Sequence, residues 1–148
     1  MAGSQLKFDQ TLINVLSPRK ISNTDENKNS LIFTIYQDGM SFMFTGDADS
    51  EMEREVLTHY RLPMCIYLKA GHHGSKTSSS ADFLRAVHPA AALISCGVNN
   101  DYGHPHKETM KKYHAMNLDI YVTAENGTIT LTSDGKDYHI TPERGEKQ

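Results

Sequence analysis

Two adjacent histidines between glycines are the residues of this chain best suited to chemistry, in the segment Gly71-His72-His73-Gly74. Histidine is the commonest protein ligand for zinc-like metals and a frequent general acid or base. Glycine lets the backbone turn sharply and come close to a ligand. The flanking glycines therefore favour a functional role for His72 and His73 over a polar surface loop.

A carboxylate follows another apolar run, in the segment Thr45-Gly46-Asp47. Asp47 could bind a metal ion or bridge two of them. The structural alternative is an Asx turn in which Asp47 or Asp49 caps the following helix. This motif alone leaves both alternatives open.

A third polar cluster is the segment Tyr102-Gly103-His104-Pro105-His106. His104 could face the same pocket as the paired histidines, or it could cap a helix that begins at Pro105. Such a helix would make the His104 and His106 side chains diverge, so we expect His104 to be functional and His106 to lie on the surface. The remaining histidines stand at helix or strand margins and are expected to be structural or exposed: His59, His88, His114 and His139.

The segment from Gly71 to Thr77 also permits a competing interpretation as a shortened phosphate loop. The spacing between its last glycine and Lys76 is not that of a working phosphate loop. We instead expect an anionic substrate group to be held near the start of the following helix. The candidate substrate-binding residues are Ser75, Lys76, Thr77 and Asn99.

The elements that must position these clusters alternate along the chain. Apolar runs and turn signals predict strands near residues 12–16, 31–36, 41–45, 64–70, 91–95 and 119–123, helices near 50–60, 80–88 and 105–116, and a terminal hairpin. Asp38-Gly39 is a hairpin turn signal, and Ser50 with Glu53 forms a capping-box pattern. This order predicts an α/β fold with helices covering one mixed sheet, and polar clusters that meet at the carboxyl ends of its strands.

Length and composition narrow the choice of protein class. With 148 residues, the chain is expected to form a single domain with disordered ends at residues 1–11 and 142–148. The net charge of −3 gives no global attraction to nucleic acid, so such a substrate would need a local basic patch or a metal. Cys65 and Cys96 form no Cys-x-x-Cys pair, so their spacing does not indicate a cysteine zinc site. No apolar run approaches the roughly 20 residues that span a bilayer.

Taken together, these motifs resemble the C-terminal half of the metallo-β-lactamase-like domain of ComEC-type DNA-uptake (competence) proteins. The most specific segment reads Leu-Lys-Ala-Gly-His-His-Gly-Ser-Lys-Thr-Ser, at residues 68–78. The other matching segments are residues 27–32, 44–47, 94–100, 102–105 and 126–127. The resemblance extends over roughly residues 12–133.

The resemblance implies half of an αββα sandwich and a metal-dependent hydrolase that acts on a DNA phosphodiester. It implies one or two zinc or manganese ions, with Asp47 matching the metal-bridging aspartate and His72 matching the last metal-ligand histidine. His73 would then be a neighbouring catalytic or ligand-supporting group, although either histidine could be the ligand, and His104 would face the pocket. In an intact protein of this type, the domain would lie on the extracytoplasmic side of the bacterial membrane.

The chain departs from this family at one important point. The main metal motif of the superfamily, His-x-His-x-Asp-His, is absent, and two ligands are fewer than the three or four that zinc usually takes. The expectation is a hydrolase fragment, weak or inactive alone, that needs an upstream half-domain or a partner chain. The alternative is a non-catalytic structural or interaction module. In both cases half of a sandwich would expose an apolar sheet face, so we expect a homo-oligomer.

Overall fold

The computed structural model describes residues 1–148 and contains a seven-stranded sheet, a separate two-stranded hairpin and four helices. The sheet contains β1 (Gln5–Phe8), β2 (Thr11–Ser17), β3 (Ile32–Gln37), β4 (Met40–Phe44), β5 (Tyr67–Lys69), β6 (Ala91–Ile94) and β7 (Asp119–Val122). The hairpin contains β8 (Ile129–Ser133) and β9 (Tyr138–Pro142). The helices are α1 (Ser50–His59), α2 (Ala81–Val87), α3 (Lys107–Ala115) and the single turn α4 (Thr123–Asn126).

The strands lie side by side in the order in which they occur in the chain. Strands β1 to β4 pair in antiparallel fashion, and the turn between β3 and β4 has positive φ at both Asp38 and Gly39, as its sequence predicts. Strands β4 to β7 pair in parallel, and the connections between them contain α1, α2 and α3 in turn. The carboxyl ends of β4, β5 and β6 are therefore adjacent at one edge of the sheet.

The main core lies between the sheet and its helices and comprises 18 buried residues. Leu68 and Ile94 come from the strands, and Val56 and Phe83 from α1 and α2. Each is at most 1% exposed. Burial of one such side chain stabilises the fold by about 1.5–3 kcal/mol, so this layer fixes the strands that lead to the three polar clusters.

The opposite face of the sheet packs against the β8–β9 hairpin. Because side chains alternate along a strand, Tyr67 points to this face while its neighbour Leu68 points to the helices. Apolar residues of both hairpin strands cover the centre of the face: Ile129, Leu131, Tyr138 and Ile140. Towards the β1 edge, the cover decreases, and Leu6 is 51% exposed.

The α/β class and the mixed sheet with covering helices are confirmed, whereas the cap of α1 and the start of α3 differ from the prediction. Asp49, rather than Ser50, caps α1, because its carboxylate accepts the N–H groups of Glu51 and Met52 at 3.0 Å. Glu53 turns into the interior instead of closing a capping box. Helix α3 begins two residues after Pro105, at Lys107.

The two ends of the chain carry structure where we expected none. Residues 5–8 form the edge strand β1, paired in register with β2. At the other end, Gln148 exchanges two backbone hydrogen bonds with Ile120, at 2.9 and 3.4 Å. None of the four helices is long and apolar enough to cross a membrane.

Candidate functional site

Asp47 lies just beyond the carboxyl end of β4. The turn that places it has a positive φ of 52° at Gly46, and the Asp47 N–H donates to Ser30 Oγ at 3.1 Å. The capping role belongs to Asp49, so the Asp47 carboxylate is not used to begin α1. Its side chain is 41% exposed and remains available for a ligand.

The paired histidines form a tight turn after β5. Both have left-handed backbone conformations, with φ of 46° at His72 and 55° at His73, which cost roughly 1–2 kcal/mol each for a residue with a Cβ. The turn is held by hydrogen bonds from the His72 N–H to Gly46 O at 2.9 Å and from the Ser75 N–H to His72 O at 2.8 Å. Backbone strain of this kind persists where surrounding contacts hold the strained conformation, and it often occurs at functional sites.

The orientation of His73 leaves one ring nitrogen free to bind a ligand. Its Nδ1 lies 2.6 Å from the backbone oxygen of Ser95, at the end of β6. A carbonyl oxygen only accepts, so Nδ1 carries the hydrogen and Nε2 of the neutral ring presents a lone pair. That Nε2 lies 3.4 Å from Asp47 Oδ1. Metal-binding histidines are oriented in this way by a backbone carbonyl or a carboxylate.

His72 and His104 complete a cluster of rings around this pair. The His72 ring centroid lies 6.4 Å from that of His73 and 5.7 Å from that of His104. Burial is the main cause of a lowered pKa at His104, and the nearby imidazoles of His106, His72 and His73 lower it further. The structure therefore brings together the side chains that we predicted at three strand ends.

His106 is also part of this cluster, so the prediction that its side chain diverges onto the surface is wrong. Its ring centroid lies 4.9 Å from that of His104, and its Nδ1 accepts the N–H of Lys76 at 3.1 Å. The physical reason is the later start of α3, since His106 occupies the N-cap position with an extended backbone. The sequence pattern His-x-His would have indicated this proximity if Pro105 had not been taken as the first helical residue.

The predicted substrate-binding residues are divided between the interior and the surface. Ser75 is only 4% exposed, and its hydroxyl lies 3.0 Å from that of Thr77. Lys76, Thr77 and Asn99 are exposed. The N–H of Thr77 already donates to Ser75 Oγ at 3.3 Å, so backbone donors of this segment are occupied within the protein and do not form a phosphate-binding loop.

A buried carboxylate that we had assigned to a helix cap supports the histidine turn. Glu53 is 1% exposed and accepts the N–H groups of Ser79 at 2.6 Å and Ser80 at 2.7 Å. The adjacent Ser78 hydroxyl donates to the carbonyl oxygen of Gly71 at 2.8 Å. Burial raises the pKa of Glu53, against the effect of these donors and of the charge on Lys112.

Lys69 is a site residue that received no role from the sequence. In register with Phe44 and Leu93, it lies on the hairpin side of the sheet at the end of β5. Its Nζ donates to Ala70 O at 3.0 Å. Burial lowers the Lys69 pKa, and the charge on Asp47 opposes this change. A lysine at the end of an otherwise apolar strand was the signal that could have identified it.

The residues present could form part of a metal centre but not a whole one. No three His, Cys, Asp or Glu side chains of the chain are arranged to hold a metal ion. Asp47 and His73 provide an oxygen and a nitrogen donor close together, whereas zinc sites usually have three or four protein ligands. Further ligands would have to come from elsewhere.

Comparison with known proteins gives relatives for most of this chain, although no protein-family model matches it. It is 35% identical over 127 residues to ComE operon protein 3 of Bacillus subtilis (strain 168), covering 86% of this chain and 16% of that protein. It is 31% identical over 129 residues to competence protein ComA of Neisseria gonorrhoeae, covering 86% of this chain and 19% of that protein.

A third relative extends the same pattern. Recombination protein 2 of Haemophilus influenzae is 31% identical over 130 residues, which cover 88% of this chain and 16% of that protein. The chain therefore spans less than a fifth of the length of the relatives that it matches. By sequence, it is similar to one segment of each of these longer relatives.

Proposed function

We propose that this chain is the C-terminal part of a metallo-β-lactamase-type hydrolase domain that cleaves a DNA phosphodiester. In this proposal another polypeptide segment, either an upstream half-domain or a partner chain, supplies the remaining metal ligands. The isolated chain is then weakly active or inactive. One relative is named competence protein ComA, which supports a role in DNA uptake. In the same proposal, the domain lies on the extracytoplasmic side of a bacterial membrane.

The observation that carries the proposal is the pairing of Asp47 with His73. These side chains come from different strand ends, yet their polar atoms lie 3.4 Å apart, and the contact of His73 Nδ1 with the Ser95 carbonyl oxygen directs Nε2 towards Asp47. A zinc or manganese ion, when bound, supplies Lewis-acid activation of water. Asp47 and His73 would hold it, and His72 is the alternative imidazole ligand.

The chain's own residues support such chemistry in defined ways. Ser95 fixes the His73 ring through its carbonyl oxygen, and Glu53 with Ser78 fixes the turn on which both histidines stand. The Lys69 ammonium near Asp47 and the exposed Lys76 would offer positive charge to a phosphate group. Burial and the neighbouring imidazoles lower the His104 pKa, which favours the neutral ring.

A non-catalytic interaction module is the second candidate. The lack of any three-ligand cluster within the chain favours it. Under this alternative the histidine turn is only a structural feature, and neither Asp47 nor His73 would affect metal binding.

Metal titration by calorimetry separates the two candidates. We expect zinc or manganese to bind weakly, and Asp47→Ala and His73→Ala each to lower the affinity by about tenfold or more, because each removes a donor atom. His72→Ala tests which imidazole is the ligand. His114→Ala is the matched control, because His114 is exposed on α3 outside the cluster. Unchanged affinity in both Asp47→Ala and His73→Ala would favour the interaction module.

A further inference from the structure

Tyr102 is a large aromatic side chain left open to solvent beside the candidate site. It is 77% exposed, and one face of its ring stacks on His104, with centroids 5.6 Å apart and planes 18° from parallel. The other face is therefore accessible. An exposed aromatic ring with one supported face and one free face is suited to stacking on a second flat ring.

The loop that carries Tyr102 is held in one conformation by a single side chain. The amide of Asn100 donates to Gly97 O at 3.0 Å and to His104 O at 2.7 Å, and its oxygen accepts the His104 N–H at 2.9 Å. A positive φ of 67° at Gly103 completes the turn. A ring held in place before binding loses little conformational entropy when a ligand stacks on it.

The stack continues from Tyr102 to the candidate metal-binding pair. His104 also stacks on His73, with centroids 6.3 Å apart and planes 18° from parallel. The rings of Tyr102, His104 and His73 thus form a row that ends 3.4 Å from Asp47. A cavity of about 210 Å³ borders this row and is also lined by Cys96, Gly97 and Asn100.

We propose that the free face of Tyr102 stacks on an unpaired nucleobase of a single-stranded nucleic acid whose backbone reaches the Asp47–His73 pair. The proposal deepens the proposed phosphodiesterase function, on which it rests, by naming the form of its substrate. A base inside a duplex has both faces covered by neighbouring bases, so away from duplex ends only an unpaired base offers a face to Tyr102. The net charge of −3 gives the chain no general attraction to polyanions, so stacking has to supply part of the affinity.

The test uses the chain itself in metal-free buffer containing a chelator, with a short oligothymidylate as the probe. We expect Tyr102→Ala to weaken oligothymidylate binding by about 5-fold to 150-fold, the range for loss of one stacked base. Tyr102→Phe keeps the ring and should bind within about twofold of the wild type. Tyr36→Ala is the matched control, since Tyr36 is 44% exposed and pairs with the start of β4, away from the site.

An abasic oligonucleotide of the same length and charge distinguishes stacking from attraction to the backbone. Wild type and Tyr102→Ala should bind it equally, because it has no base to stack. The chain has no tryptophan, so Tyr102→Trp adds a single indole fluorophore. Its emission should be quenched by oligothymidylate but not by the abasic strand or by closed circular duplex DNA.

Two results would overturn the proposal: equal weakening of both oligonucleotides by Tyr102→Ala, or indole emission from the Tyr102→Trp variant that does not respond to oligothymidylate. Because these measurements exclude metal, they stand apart from the calorimetric test of Asp47 and His73. The stacking site can therefore fail while the metal site is supported, and the reverse result is equally recognisable.

Discussion

One buried carboxylate connects three segments around the candidate site. Glu53 belongs to α1, accepts two backbone N–H groups at the start of α2, and lies near the charge of Lys112 on α3. Its sequence position three residues after Ser50 predicts a capping box. A local pattern contains no information on the distant Ser79 and Ser80, so it could not indicate that Glu53 binds them. Only the packing of α1 against α2 shows that these donors are within reach.

Glu53→Gln should lower the free energy of unfolding by about 1–3 kcal/mol near neutral pH, because the amide NH₂ cannot accept and leaves one buried N–H without a partner. Urea denaturation followed by circular dichroism measures this change. The variant retains the volume of the side chain, so the loss reports hydrogen bonding rather than a cavity.

The same pair of proteins tests the pKa of Glu53. Because burial raises its folded pKa above the unfolded value, the associated stabilisation is fully present below the unfolded pKa and is lost as pH rises through the folded pKa. The stability difference between wild type and Glu53→Gln should therefore shrink as pH rises across that interval. Glu55→Gln, at an exposed position of the same helix, should show no such trend, and a constant Glu53 difference would contradict the assignment.

At the residue level, the sequence predicted the side chains that follow strand ends. Asp47, His73 and His104 could be recognised because the loops that follow apolar runs lie at the same edge of a parallel sheet. His106 and Glu53 could not be assigned in this way, and Lys69 received no role although it ends an apolar strand. Their environments depend on where α3 begins, on which face of β5 is covered, and on contacts between helices.

The turn between β5 and α2 is the element on which the site depends. Two residues with left-handed backbone precede Gly74, whose own φ is +83°. A Cβ added at Gly74 would lie 2.8 Å from Pro105 Cβ. Contact with the segment after β6 therefore fixes the turn from outside, while Ser78 fixes it from within.

Gly74→Ala combines an unfavourable backbone conformation with a steric clash. We expect a loss of about 1–3 kcal/mol in unfolding free energy and a displaced His73 ring, seen as a changed histidine side-chain signal in NMR spectra. Gly39→Ala is the matched control, because its φ is +89° but an added Cβ there meets no atom within 4 Å. If both variants perturb the His73 signal equally, the contact with Pro105 does not position the turn.

The elements themselves were largely predictable from hydrophobic periodicity and turn residues. The Asp38-Gly39 hairpin, the helix from Ser50 and the parallel strands all occur near the predicted positions. Strand β5 is shorter than its apolar run of residues 64–70, because the residues before Tyr67 lead into the sheet without pairing as a strand. The chain-end strand β1 was missed, although its four residues alternate between polar and apolar.

For the whole molecule, the hairpin side of the sheet is the surface that we propose for contact with other polypeptides. The β8–β9 hairpin covers its centre, while Leu6 and Phe8 of the edge strand β1 are 51% and 62% exposed. An apolar face of this kind often marks an interaction site. It remains our proposal that a second copy, or the missing half of a sandwich, packs there.

Sedimentation velocity tests the association of two copies. We expect the wild type to form a reversible dimer, and Leu6→Lys to weaken it by about tenfold or more, because a buried leucine contributes about 1.5–3 kcal/mol. Met64→Lys serves as the control, since Met64 is 70% exposed before β5 rather than on this face. A monomeric wild type, or an equal effect of both lysine variants, would contradict association through the β1 edge.

The agreement between strand order and chain order has a consequence for synthesis on the ribosome. Each strand pairs with its immediate predecessor, so every new pairing joins segments that are consecutive in the chain, and folding can advance along the nascent chain without rearranging earlier pairs. The three strand ends that carry the site are successive, from β4 to β6. Its histidines and aspartate can therefore come together as soon as the loop after β6 has emerged, before the last hairpin has been made.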